Sequence, residues 1–164
     1  VRAGKALYVG ISRWPLEALK VAHEYLKQRD VPLLIYQGRL NLIDRAPQDE
    51  GILDFCASNG IGFISFSPLA QGLLTDKYLK EIPSDSRMAR NGSLRPEMLD
   101  ASLLNRLQQY NAMAARRGET LARMALEWIL AQRGITSVLV GASSVGQLSE
   151  NLKCIDAKPF EEDV

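Results

Sequence analysis

The stretch 138–152 contains the residues whose types and spacing come closest to a binding chemistry. An apolar run breaks at Gly141, and a polar helix is predicted to begin near Ser144. The first turn of a helix presents unpaired backbone N–H groups and the positive end of the helix dipole, and both attract phosphate. A strand, a glycine turn and a helix start in this order therefore indicate a place where a phosphate or nucleotide can bind.

Three polar side chains of this helix can point at the same ligand. Residues three and four apart share a helix face, which places Gln147, Glu150 and Asn151 together. An alternative of equal weight is that Ser144 and Gln147 form a capping box while the other polar groups face water. The apolar side chains fall on another face, which we expect to pack inward. They are Val145, Leu148, Leu152 and Ile155.

Four apolar runs predict buried strands that alternate with helices. The runs cover 6–11, 32–36, 61–66 and 137–140. Helical periodicity follows Pro15 and is also present over 51–58, 96–117 and 119–132. Strands that are apolar along their whole length are buried on both faces, so this order predicts an α/β fold with a parallel sheet. Two topologies remain open, a doubly wound sheet or part of a (β/α)8 barrel, and both bind ligands at the carboxyl ends of the strands.

Candidate ligand groups follow at those strand ends. Phe66 can stack on a planar ring, while Ser12 and Gln37 on neighbouring strands can hydrogen-bond an amide at its edge. Together they suit a nicotinamide, whereas each residue taken singly is more often structural. The polar segment from Ser67 to Pro96 is too long for an ordinary connection and is a candidate functional loop. Between positions 77 and 95, five basic residues against two acidic ones leave a charge of +3, which can neutralise a pyrophosphate or belong to a solvated loop.

No side chain has the setting of a catalytic acid. His23, the only histidine, lies on the packing stripe of a helix, so we expect a structural role for it. The tyrosines have no neighbouring Lys or His that would lower a phenol pKa, and the GxSxG, HExxH and Walker motifs are absent. The sequence thus offers binding groups and predicts no catalytic residue.

The composition is that of an ordinary single domain without a metal site. A net charge of +1 argues against nucleic acid and anionic membranes as partners. Cys56 and Cys154 lack metal-ligand or disulfide-framework spacing, which favours a reducing compartment. No long apolar span and no signal segment are present, so we expect no membrane insertion and a cytoplasmic location.

Five segments together resemble the aldo-keto reductase superfamily. They are GISRW (10–14), YQGRLNLIDR (36–45), FSPLAQGLLTDKY (66–78), DSR (85–87) and VLVGASSVGQLSENL (138–152). Their order and spacing match over essentially the whole chain, and the resemblance is strongest to bacterial L-glyceraldehyde 3-phosphate reductases and, more distantly, to potassium-channel beta subunits. It implies that residues 1–164 form the second half of one (β/α)8 barrel, from its fifth strand onward, with no second domain.

The resemblance also implies an NADP(H) site. Ser12 and Gln37 would contact the carboxamide, with Arg13 beside them, and Phe66 would stack on the nicotinamide. The pyrophosphate would follow a second group of residues, which are Ser67, Pro68, Leu69, Gln71, Gly72, Lys77 and Arg87. The adenosine end would be held after the fourth strand, by residues Gly141, Ser143, Gln147, Glu150 and Asn151.

Two positions depart from the family pattern. Phe66 stands where many relatives have Tyr or Trp, so stacking is retained and the hydroxyl is lost. Ser144 stands where many relatives have Lys or Arg for the 2′-phosphate, which leaves NAD(H) open beside NADP(H).

The family's catalytic Asp, Tyr, Lys and His belong to the first half of the barrel, so we predict that this chain alone is inactive. The intact protein is expected to reduce a small-molecule aldehyde or ketone, such as glyceraldehyde 3-phosphate or methylglyoxal, by hydride transfer. The alternatives are a regulatory subunit that senses the cofactor and a non-catalytic half-barrel, which can form a homo-oligomer to bury its open face.

Overall fold

The computed structural model describes residues 1–84, 86, 88–89, 94–156 and 160. Its four strands are β1 (Val9–Ser12), β2 (Leu33–Arg39), β3 (Gly62–Phe66) and β4 (Ile135–Val138). They form one sheet in the order β1-β2-β3-β4, and each neighbouring pair is parallel. The predicted α/β fold with a parallel sheet is therefore confirmed.

Helices follow the strands in the expected alternation. They are α1 (Leu16–Lys27), α2 (Ala46–Asp49), α3 (Ile52–Ser58), α4 (Ala101–Arg117), α5 (Leu121–Leu130) and α6 (Val145–Leu152). The predicted helix 96–117 is shorter at its start, because Pro96–Met98 is a separate 3₁₀ turn and the Asp100 side chain accepts a hydrogen bond from the Leu103 N–H (2.7 Å) as the cap of α4. Gly118, with a φ of 73°, ends that helix.

All four strands differ from their predicted bounds, β3 only in beginning at Gly62 rather than residue 61. β1 begins at Val9 rather than residue 6, because its pairing with β2 begins there and the side chains of residues 7 and 8 are exposed. β4 covers 135–138 rather than 137–140, and Leu139 adds one hydrogen bond to the Ser65 carbonyl (2.8 Å) before the chain becomes exposed.

β2 extends to Arg39, three residues past its predicted end. The predicted run stops at Gln37-Gly38, a pair typical of a turn, whereas the structure places this glycine inside a strand. A Cβ at this position would collide with the Phe63 ring on β3, so Gly38 permits a close approach of the two strands. Gln37 consequently lies within β2 and not at its end.

The chain divides into two compact units. The first comprises Val1–Ser67 and Ile129–Leu139, and the second comprises Pro68–Trp128 and Val140–Val164. The first unit contains the sheet, and its core includes Leu19, Tyr36 and Phe63. The core of the second unit is formed largely by α4 and α5, with buried residues Leu107, Ala114, Leu121, Met124, Ala125 and Leu126. The expectation of a single domain stays a prediction.

His23 and Cys56 lie at packing positions in the fold. The His23 ring in α1 meets the Phe55 ring edge-on, with centroids 5.7 Å apart, as suits a packing residue. Cys56 is a buried free thiol whose pKa burial raises to about 11, whereas Cys154 is only half-buried. Among the described residues, no helix is long and apolar enough to span a membrane, and no cluster of three potential metal ligands is found.

Candidate functional site

Three of the predicted nicotinamide residues share one face of the sheet. Ser12 is the register partner of Gln37, and Gln37 is the partner of Ile64 on β3. Phe66 lies two residues beyond Ile64, and partners in a ladder point to the same face, as do residues two apart on a strand. Ser12 is exposed and the other two side chains are half-buried. The sheet thus brings a hydroxyl, an amide and an aromatic ring to one surface, which we call the strand-end group.

The backbone beside this group adopts a conformation that side chains disfavour. Arg13 directly follows β1 with a φ of 59°, and Ser67 directly follows β3 with a φ of 51°. Left-handed backbone at a residue other than glycine costs about 1–2 kcal/mol and persists only when surrounding contacts hold it. Such conformations are concentrated at functional sites, so their position at two strand ends supports a binding role there.

Buried side chains hold both turns. The Arg13 N–H donates to the Gln37 carbonyl (3.0 Å), and the Tyr36 hydroxyl donates to the Trp14 carbonyl (2.8 Å). Burial raises the pKa of Tyr36, so its hydroxyl remains protonated and can serve as this donor. The second turn is held by the side chain of Asn41, whose Nδ2 donates to the Ser67 carbonyl (3.0 Å).

The Asn41 side chain makes hydrogen bonds within the protein through both its nitrogen and its oxygen. Its side chain is 0% exposed, and its Oδ1 accepts from the N–H groups of Ile43 (3.1 Å) and Asp44 (2.9 Å). An Asn that organises its own turn in this way is a familiar local pattern. Neither Asn41 nor Tyr36 is among the site residues predicted from the sequence, and the turn chemistry of Asn41-Leu-Ile-Asp was the available signal for Asn41.

The chain after Ser67 forms a second strained turn, within the other unit. Ala70, Gln71 and Gly72 have φ values of 46°, 60° and 99° in succession. The Thr75 hydroxyl donates to the Gly72 carbonyl (2.7 Å) and accepts from the Lys77 N–H (3.2 Å). The ammonium group of Lys77 is exposed.

The remaining predicted pyrophosphate residues differ in accessibility. Pro68 is buried and Leu69 is half-buried. Arg87 lies outside the described residues, so its predicted contact stays a prediction.

The start of α6 forms the capping arrangement that the sequence left open. The Ser144 hydroxyl accepts from the Gln147 N–H (3.2 Å). The Gln147 Oε1 accepts from the Ser143 N–H (2.9 Å) and the Ser143 hydroxyl (3.0 Å), so the reciprocal bond reaches one residue further back than in a standard capping box. Gly141, Ser143 and Gln147 are nevertheless exposed and accessible to a ligand.

The three polar residues of α6 differ in their exposure and in their partners within the protein. The Glu150 carboxylate accepts from the Thr120 hydroxyl (3.1 Å) and pairs with the Lys153 ammonium (2.6 Å), which lowers the pKa of Glu150. Asn151 is buried, whereas Gln147 is exposed. Their shared ligand therefore stays a prediction, and Glu150 has protein partners that such a ligand would have to complement.

The expected inward packing of the apolar face of α6 is wrong. Val145 is 85% exposed, and Leu148, Leu152 and Ile155 are exposed as well. Asn151 is the residue of α6 that is buried. The polar side of α6 instead faces the start of α5, where the Thr120 hydroxyl donates to Glu150, and the apolar side is left exposed among the described residues.

A buried group of charges lies near this contact and was not predicted from the sequence. Glu127 on α5 accepts from Arg123 (2.7 Å) and Arg117 (2.9 Å), and a second carboxylate, that of Glu119, lies 3.2 Å from Arg117. Burial, followed by a hydrogen bond to Glu127, raises the pKa of Glu119. We call these four residues the α5 charge cluster.

Comparison with known proteins places the chain in a family. The family model described as Aldo/keto reductase family matches residues 1–164. The chain belongs to the aldo/keto reductase family. The predicted resemblance is thereby confirmed.

The relatives include enzymes and channel-associated proteins. The chain is 48% identical over 164 residues to L-glyceraldehyde 3-phosphate reductase of Escherichia coli strain K12, covering 98% of the chain and 47% of that protein. It is 32% identical over 161 residues to a probable voltage-gated potassium channel subunit beta of Oryza sativa subsp. japonica, covering 96% and 49%. The chain spans about half the length of the curated relatives it matches.

A solved structure shows the same fold. A thermostable aldo-keto reductase in complex with the inhibitor epalrestat superimposes with a TM-score of 0.69 at 27% identity, covering 99% of the chain and 47% of that structure. The parallel α/β arrangement is therefore shared with a member of the family.

Proposed function

We propose that this chain carries the nicotinamide-cofactor site of an aldo-keto reductase whose intact form reduces small aldehydes or ketones to alcohols. The strand-end group is the observation that carries the proposal, since its hydroxyl, amide and ring share one face beside two strained turns. Membership of the aldo/keto reductase family and 48% identity to a glyceraldehyde 3-phosphate reductase support it. On this proposal the sheet is the second half of a (β/α)8 barrel.

The strand-end group fits a nicotinamide. The Gln37 amide has two N–H donors and a carbonyl acceptor, and the Ser12 hydroxyl can donate and accept. Together these groups complement the donors and the acceptor of a carboxamide. The half-buried Phe66 presents a ring for stacking. The exposed guanidinium of Arg13 adds a positive charge beside them.

The other predicted residues fit the charged and adenosine parts of NADP(H). The exposed Lys77 follows the strained turn at residues 70–72 and can pair with a phosphate. The exposed Ser143 and Gln147 side chains offer hydrogen bonds at the start of α6. Ser144 caps α6 and supplies no positive charge for a 2′-phosphate, so NADPH and NADH are both candidate cofactors.

The chain's own part in the reaction is to bind and orient. A bound reduced nicotinamide supplies a hydride to the carbonyl carbon of a small-molecule substrate. Ser12 and Gln37 would hold the carboxamide and so fix the plane of the ring, while Phe66 would cover one ring face. His23 packs on Phe55 in α1 and is not assigned the proton transfer. We therefore propose that the protonating residue lies outside these 164 residues and that the chain alone does not turn over.

Titration of the chain with NADPH and with NADH, followed by fluorescence, tests the proposal. We expect saturable binding, and Phe66→Ala should weaken it about two- to twelvefold, because an aromatic stack contributes ~0.5–1.5 kcal/mol. Tyr25→Ala is the matched control, since Tyr25 is an exposed aromatic on α1. If neither NADPH nor NADH binds saturably, the proposal is contradicted.

The similarity to a probable potassium channel subunit beta favours a second candidate, a module that senses the cofactor without turnover. The intact protein distinguishes the two. Reduction of at least one aldehyde from a broad panel supports the reductase, whereas tight NADPH binding without reduction of any member supports the sensor. Homo-oligomerisation and a cytoplasmic location are further proposals for the intact protein.

A further inference from the structure

The carboxylate of Glu127 is the centre of the α5 charge cluster. It is 0% exposed, and each of its oxygens binds a different guanidinium, Oε1 that of Arg123 (2.7 Å) and Oε2 that of Arg117 (2.9 Å). Two arginines on one buried carboxylate form a rigid arrangement, because each planar guanidinium is oriented by its hydrogen bond. Glu127 cannot contact a ligand itself, since it has no exposed surface.

Both arginines also contact the part of the chain that follows α6. The Arg123 Nη2 donates to the Asp156 carbonyl (3.3 Å), in the 3₁₀ turn Lys153–Asp156 that directly follows α6. The Arg117 guanidinium lies over the Phe160 ring, 4.2 Å from its centroid. The cluster thus holds the chain on the carboxyl side of α6 at two points.

A third contact ties α6 itself to the start of α5. The Thr120 hydroxyl donates to the Glu150 Oε1 (3.1 Å) and accepts from the Arg123 N–H (3.1 Å). Arg123 is therefore connected to α6 through its backbone and to the turn that follows α6 through its side chain. Loss of its side-chain partner would loosen the end of α6 where Glu150 and Asn151 lie.

We propose that Glu127 is a positioning residue for the adenosine end of the cofactor, acting through Arg123 and the 153–156 turn on Glu150 and Asn151. This inference rests on the proposed function. Disruption of the cluster should therefore weaken interactions with the adenosine half and leave those with the nicotinamide half unchanged. A residue that merely stabilises the fold would affect both halves alike.

Glu127→Gln in the full chain tests the inference. It keeps the shape of the side chain and removes its charge. The probes are NADPH, 2′,5′-ADP and reduced nicotinamide mononucleotide, each measured by equilibrium binding. We expect about tenfold weaker binding of NADPH and 2′,5′-ADP, within the range of energetic coupling through side-chain networks, and a change below about twofold for the mononucleotide. Glu97→Gln is the matched control, because Glu97 is exposed.

A second variant keeps the test decisive if Glu127→Gln does not fold. Arg123→Lys retains the positive charge beside Glu127 and removes the planar donor that reaches Asp156. It should weaken 2′,5′-ADP in the same direction by a smaller factor and increase amide hydrogen exchange over residues 150–156. Unchanged 2′,5′-ADP affinity, or equal weakening of both fragments, overturns the inference. Failure of the wild-type chain to bind NADPH overturns the proposed function, and the inference with it.

Discussion

Asn41 provides the sharpest test of how the strand-end turn is held. Asn41→Ala removes one hydrogen bond to the Ser67 carbonyl and two from the N–H groups of Ile43 and Asp44. A hydrogen bond contributes about 0.5–1.5 kcal/mol net, so the loss of all of them should lower the free energy of unfolding by about 3 kcal/mol. The left-handed Ser67 backbone, at a φ of 51°, would then lose the contact that holds its carbonyl.

Urea denaturation of the chain, followed by circular dichroism, measures this loss. Asn59→Ala is the matched control, because the Asn59 side chain makes a hydrogen bond to the Phe55 carbonyl (2.8 Å) at an exposed helix end. Its cost should be about 1 kcal/mol or less. A cost for Asn41→Ala no greater than that of the control would refute the assigned role.

Three further predictions address packing, pH and the α6 surface. Gly38→Ala should lower the free energy of unfolding by about 1–3 kcal/mol, because its Cβ would overlap the Phe63 ring, and an unchanged denaturation midpoint would contradict this. Glu119→Gln should gain stability relative to wild type as the pH rises above the ordinary carboxyl value of 4.5, because the raised pKa of Glu119 makes its ionisation unfavourable in the fold. Denaturation of both proteins from acid to neutral pH checks the sign, and a relative loss would be inconsistent with it. Leu148→Ser should change stability by about 0.5 kcal/mol or less, since Leu148 is exposed, and a thermal-melt loss of several times that would show that its face is covered.

The alternation of apolar runs with helical periodicity was sufficient to predict the fold class, because both patterns are local in the sequence. The expected burial of the strands on both faces is not found, since β1 and β4 contain no buried residue. The bounds of β2 were not predictable in the same way. Gly38 reads as a turn from its neighbours, and only the approach of Phe63 from another strand shows why a glycine is needed inside the strand. Such a requirement is set by residues distant in the chain.

The candidate site, like the fold, could be predicted from the sequence only in part. Ser12 and Phe66 were found because the carboxyl ends of parallel strands lie along one edge of a sheet. Gln37 lies inside β2, and the register still places it on the same face. The orientation of α6 was not found, since the contact from Thr120 to Glu150 joins residues 30 positions apart. Periodicity identifies the apolar face of a helix and gives no information on which side its neighbours bind.

The central claim is that the strand-end group binds a nicotinamide cofactor, and amide chemical shifts of the isotope-labelled chain test it most directly. On titration with NADPH, we expect saturable shifts centred on Ser12, Arg13, Gln37 and Ser67, with a second set over residues 143–151. Saturation at other residues, or no saturable shift at the strand-end group, would contradict it.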